Sequence, residues 1–181
     1  IGIVLAVITF WLFANSLINV IPNLQTSFGS YLSTISIAVS LTALFCGMFV
    51  VGAGSLADYF GRVRLTIIGL WLNIFGSLLI IVSDYIPLLL MGRAIQGLSA
   101  ALIMPATLSL IKAYYHGDKR QRALSLWSIG SWGGSGFASL FGGMIATFLS
   151  WRWIFVFSII VPLIAVLLIK GTPAVSYTHL R

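Results

Sequence analysis

Long apolar runs, separated by short polar connections that hold every acidic residue, constrain this chain more than any other feature. The runs cover residues 2–21, 33–57, 65–82, 86–114, 122–149 and 153–169. None shows the strict alternation of a barrel strand. Roughly 18 to 25 apolar residues cross about 30 Å of hydrocarbon as a helix. A segment in lipid must satisfy its own backbone, which leaves helices or closed barrels as the spanning options. The expectation is therefore an all-α polytopic membrane protein with six transmembrane helices. Composition agrees: 60% of the 181 residues are hydrophobic, 7% are charged, and the mean hydropathy is +1.10. Too little polar surface is left to face water.

Charge placement gives a direction. Arg62 and Arg64 lie in the second connection, Lys112, Lys119, Arg120 and Arg122 in the fourth, and Lys170 after the sixth run. The first and third connections have no Lys or Arg, and the fifth has only Arg152. By the positive-inside bias, the N-terminus and the 58–64 and 112–122 loops are cytoplasmic in a cell membrane, and Asp84 and residues 22–30 face outward. The net charge of +7 is thus read as topology, not as nucleic-acid binding. Cys46 stands alone inside an apolar run and excludes a disulfide framework. No metal-ligand spacing, nucleophile–base set or cofactor motif is visible, so neither an enzyme nor a cofactor is expected.

The second connection reads Gly54-Ser55-Leu56-Ala57-Asp58-Tyr59-Phe60-Gly61-Arg62, with Arg64 beyond it. It combines a carboxylate, a basic pair and a glycine able to take positive φ in a tight turn. Asp58 and Arg62 also have the spacing of a local i,i+4 ion pair. In the fourth run, Leu89-Leu90-Met91-Gly92-Arg93-Ala94-Ile95-Gln96-Gly97 places Arg93 about seven residues beyond Pro87, roughly 10 Å deep. A cation in hydrocarbon costs at least about 2.5 kcal/mol and marks function by default. The competing reading is an arginine that snorkels to the interface. Arg93 and Gln96 share a helix face, and Gly97, Ala100 and Ala101 leave room for close helix packing. Pro105 predicts a bend. The fifth run is rich in glycine, with Gly130, Gly133, Gly134, Gly136, Gly142 and Gly143. In the first run Trp11, Asn15 and Asn19 recur every fourth residue on one face.

Together these stretches resemble the major facilitator superfamily of secondary transporters, in its fourteen-span drug:proton antiporter branch. Gly54, Leu56, Ala57, Asp58, Gly61 and Arg62 match the family's loop signature. Tyr59 and Val63 replace its basic positions. The Arg93 segment is similar to the fourth-span motif, with Ser99 in place of a glycine. Gly134, Gly142, Gly143 and Ile145 fit the frame of the antiporter signature, although Ala138-Ser139 replaces its Gly-Pro pair. Trp151-Arg152-Trp153-Ile154-Phe155 resembles the start of the sixth span in that branch.

The resemblance implies that residues 1–173 form the N-terminal six-helix bundle of a two-half transporter whose C-terminal half lies elsewhere in the polypeptide. It implies a conformational gate at Gly54, Asp58, Gly61, Arg62 and Arg64, with Asp58 meeting a helix terminus of the other half. It implies proton coupling through Arg93, Gln96 and Gly97, and an antiporter-type glycine motif at Gly130, Gly134, Gly142 and Gly143. Trp11, Asn15, Asn19 and Gln96 are candidates for a substrate cavity. The expected partners are the bilayer, a small amphipathic drug or metabolite, and a coupling proton. The expected activity is proton-coupled multidrug efflux, inactive in this half alone. A metabolite symporter or uniporter is the alternative, and a membrane receptor or scaffold a more distant one. Residues 174–181 break from the preceding style and read as a non-native tail.

Overall fold

The structure, a computed structural model, describes residues 2–170, and of residues 11–16, 19 and 146 it describes the backbone alone. The side chains of Trp11, Asn15 and Asn19, proposed for a cavity, therefore lie outside the described residues, as does the tail at 174–181. Among the described residues the fold is all helix: α1 (Gly2–Ser16), a 3-10 turn (Leu17–Val20), α2 (Ile21–Phe28), α3 (Leu32–Phe60), α4 (Arg62–Ile81), α5 (Ile86–Tyr114), α6 (Gly117–Phe148) and α7 (Arg152–Lys170).

Four of these are long and apolar enough to cross a membrane by length and composition: α3, α4, α5 and α7. The other two expected spans differ from the single apolar helices read from sequence. The first is broken. As a 15-residue α-helix α1 reaches about 22 Å, and the chain continues through the 3-10 turn into α2, where Pro22 occupies the first turn. Proline at that position lacks only an N–H that has no intrahelical acceptor. The fifth, α6, is 32 residues long, but its charged start and its glycines and serines dilute its apolarity.

Packing partners repeat with a period of three helices. The extensive contacts are α3 with α5, α4 with α5, α1 with α6, α1 with α7, and α4 with α7. Exchanging α1, α3 and α4 with α5, α6 and α7 maps this set onto itself, which is the relation expected of two inverted three-helix repeats. Glycines permit the crossings. A Cβ on Gly97 would lie 2.5 Å from the Thr42 carbonyl oxygen, and one on Gly76 would lie 2.9 Å from the Gly92 carbonyl oxygen. The backbones of α3, α4 and α5 thus meet where only hydrogen atoms fit between them. The helix α5 runs unbroken through Pro105.

Many large apolar side chains face outward, among them Leu44, Met48, Val51, Trp71, Phe137 and Leu167. In water such a surface is untenable; in a bilayer it is the expected exterior.

Candidate functional site: a gate at one end and a buried arginine

At one end, α3 and α4 join through Gly61 alone, which ends one helix and begins the next with φ +95°. A side chain there is strained whatever space is open. Asp58 lies in the last turn of α3, and Arg62 is the first residue of α4. Arg62 Nη2 donates to Asp58 Oδ1 at 3.0 Å and Nε donates to the same oxygen at 3.2 Å. Arg62 Nη1 also donates to the Ser109 carbonyl near the end of α5 at 3.1 Å. The local i,i+4 pair therefore forms. Its carboxylate side chain remains 64% exposed, against 29% for the arginine. Arg64 is exposed. Gly54 faces Pro105 of α5, but an added Cβ would stand 3.9 Å from it. That is an ordinary contact, looser than the approach at Gly97, where close helix packing is expected from the sequence.

In the interior, Arg93 is 1% exposed and is the largest fully buried side chain among the described residues. This sets the snorkelling reading aside: the guanidinium is buried and bonded to α3 and to its own helix α5. Arg93 Nε donates to the Ala38 carbonyl at 3.3 Å, and Nη1 donates to Gln96 Oε1 at 2.8 Å. Thr42 Oγ1 donates to the Arg93 carbonyl at 3.0 Å. Nη2 has no hydrogen-bond partner among the described residues. Gln96 was expected to line a cavity as well. The structure instead buries it against α4, where Nε2 donates to Ser77 Oγ at 3.0 Å. Both ends of its amide are engaged within the bundle.

Sequence reading missed the polar residues beyond Gln96. Ser77 Oγ lies 2.9 Å from Ser158 Oγ, and Asn73 Nδ2 donates to the Ser158 carbonyl at 2.9 Å. Asn73 and Ser77 are four apart in an apolar run, and that pattern was the available signal. Ser99, which stands where the resemblance expects glycine, donates to the Gly69 carbonyl of α4 at 2.7 Å.

The glycines of α6 do not form one set. Gly130, Gly134 and Gly142 lie on its buried face together with Ala138, and Gly130 meets Val4 and Ile8 of α1. Gly143 belongs to the antiporter-type frame, yet a Cβ there would meet nothing within 4 Å.

The opposite end is tied together by the Trp151-Arg152 pair. Trp151 Nε1 donates to Ser27 Oγ at 3.0 Å. Arg152 donates to the Ile81 and Ser83 carbonyls at 3.2 and 3.3 Å and meets Asp84 Oδ1 at 3.3 Å. A cation on the last carbonyls of α4 sits where the helix dipole favours it. No group of three or more His, Cys, Asp or Glu that could hold a metal occurs among the described residues.

Comparison with known proteins agrees with this geometry. A sequence model described as Major Facilitator Superfamily matches residues 3–179. The chain is 69% identical over 173 residues to the "Quinolone resistance protein NorB" of Staphylococcus aureus strains JH9 and Newman, covering 96% of this chain and 37% of each relative. It thus spans well under half of those relatives' length. Among solved structures, the proton:xylose symporter XylE superposes with a TM-score of 0.83 at 16% identity, over 96% of this chain and 44% of that one. A peptide transporter, POT, superposes with a TM-score of 0.81 at 18% identity, over 97% and 39%. At such identities the likeness is one of fold.

Proposed function

The chain belongs to the major facilitator superfamily, and from that premise we propose that it is the N-terminal half of a proton-driven exporter of amphipathic drugs, inactive without a second half. The observation that carries transport is the enclosed Arg93 guanidinium, a permanent cation held among helices apolar enough to lie in lipid. A scaffold has no use for a group so costly to bury. That the cargo is an amphipathic drug rests on the similarity to the quinolone resistance proteins.

In this reading the two halves rock around a midplane site. The end bearing Asp58, Arg62 and Lys119 faces the cytoplasm, and the end bearing Ser27, Asp84 and Arg152 faces outward, as the Lys and Arg bias supports. Asp58 acts as a gate: its Oδ1 is held by Arg62, and its exposed side is free to meet a helix end of the other half. Arg93 takes part in coupling as a fixed positive charge, because a guanidinium does not release its proton. It favours the ionised form of a carboxylate brought near it.

The test is expression of the full-length gene in a drug-sensitive bacterium. Raised resistance that an uncoupler abolishes is the expected result. Accumulation of a metabolite inside the cell would instead indicate a symporter, and an Arg93→Ala variant indistinguishable from the parent would indicate a non-transporting membrane protein.

A further inference from the structure

Pro162 lies inside α7 and has no N–H. The carbonyl four residues earlier, that of Ser158, therefore lacks its intrahelical donor. Asn73 of α4 fills the vacancy: Nδ2 donates to the Ser158 carbonyl at 2.9 Å and lies 3.1 Å from Ser158 Oγ. From there a buried chain of polar groups leads to Arg93 through Ser158 Oγ, Ser77 Oγ and Gln96, with no step longer than 3.1 Å. Every member is nearly or fully buried.

Arginine fixes the direction of the chain as far as Ser77, because it donates and never accepts. Gln96 must turn Oε1 toward Arg93, so Nε2 must donate to Ser77. Ser77 accepts from Gln96 and has two acceptors within reach of its one hydroxyl hydrogen, the Asn73 carbonyl at 2.8 Å and Ser158 Oγ at 2.9 Å. Asn73 Nδ2 donates to Ser158 at the far end. The amide of Gln96 interrupts any path for a proton, so the chain does not conduct one. What it transmits is position.

We propose that Asn73, Ser77 and Ser158 are positioning residues for Arg93, and that they tie the guanidinium to the proline break of α7. A change in α7 at Pro162 alters the hold of Ser158 on Ser77, then the angle of the Gln96 amide, and so the place of the one guanidinium nitrogen that has no partner among the described residues. This rests on the exporter reading only for its functional consequence; the tie itself is independent of cargo.

The experiment uses the full-length transporter in lipid nanodiscs, with the Arg93 side-chain N–H signal assigned by its loss in Arg93→Lys. Ser158→Ala and Ser77→Ala each delete one oxygen. Each is expected to speed hydrogen exchange at that signal about tenfold, in line with the loss of one buried hydrogen bond. The double variant is expected to add nothing further, because both break the same chain. Ser99→Ala removes a buried hydroxyl between α4 and α5 that is not in the chain, and is expected to leave the signal unchanged. An unshifted Arg93 signal in Ser158→Ala, effects that multiply in the double variant, or an equal shift in Ser99→Ala would each overturn the proposal. In transport, Ser158→Ala is expected to slow uncoupler-sensitive efflux about tenfold while drug–drug exchange stays within about twofold. An equal fall in both would indicate ordinary destabilisation and overturn the coupling role. If the parent protein exports no drug, the exporter reading fails, and the exchange measurement alone decides the tie.

Discussion

Asp58 and Arg62, 3.0 Å apart, each occupy the helix end at which the dipole opposes their charge. The carboxylate sits in the negative last turn of α3 and the guanidinium in the positive first turn of α4. Each misplacement costs about 0.3–1 kcal/mol at an exposed site. The pair and the Ser109 carbonyl offset this, but an exposed pair contributes at most about 1 kcal/mol. Stability does not explain these two residues, and their contribution is sought in conformational change.

Asp58→Asn is therefore expected to shift unfolding by less than about 0.5 kcal/mol, in keeping with a solvent-screened pair, and to lower transport at least about tenfold in the full-length protein. Thermal unfolding in detergent and drug efflux from cells check the two halves of the prediction. A large stability loss with normal transport would reduce the pair to a surface contact.

Arg93→Met is expected to remove coupled transport while shifting stability by no more than about 2 kcal/mol in either direction. The substitution removes a buried charge that costs at least about 2.5 kcal/mol. It also deprives Gln96 Oε1 of its donor, at a cost of about 1–3 kcal/mol. The two nearly cancel. Comparing unfolding midpoints with uncoupler-sensitive efflux reads both.

Two glycines are expected to behave oppositely. Gly97→Ala sets a methyl 2.5 Å from the Thr42 carbonyl oxygen, which is backbone and cannot swing away. It should destabilise by about 1–3 kcal/mol. Gly143→Ala meets open space and should stabilise this chain by up to about 1 kcal/mol through helix propensity. If Gly143→Ala instead impairs the full-length transporter, that face of α6 packs against the remainder of the protein.

Orientation is checked by labelling single cysteines in a Cys46→Ser background. Lys119→Cys, in the first turns of α6, is expected to react only from the cytoplasm. Asp84→Cys, in the α4–α5 connection, is expected to react only from outside. Labelling of both from one side contradicts the alternation of charge on which the topology rests.

The sequence made the helices legible, because hydropathy and Lys/Arg bias are properties of runs and need no partner. Gly61 was legible as a glycine able to take positive φ in a tight turn, but the expected connection ran over residues 58–64, and the structure shortens it to Gly61 alone. The direct Arg93–Gln96 bond follows from spacing within one helix. The Asn73–Ser158 bond does not. It joins residues 85 apart, and only the crossing of α4 with α7 brings them together. Pro162 pointed at the vacant Ser158 carbonyl, but no local rule names the side chain that fills it. The Gln96–Ser77 bond was hidden for the same reason, because it too needs the neighbouring helix in view. The break in the first span also escaped, because Asn15 and Asn19 read as one helix face and periodicity cannot separate a 3-10 turn from the α-helix around it.

With one residue at the elbow, α3 and α4 are coupled end to end at Gly61. Neither can slide along the membrane normal like a piston without dragging the other, because Gly61 supplies two rotatable bonds and no slack. A tilt of either helix is therefore felt by the other at the corner where Asp58 and Arg62 sit.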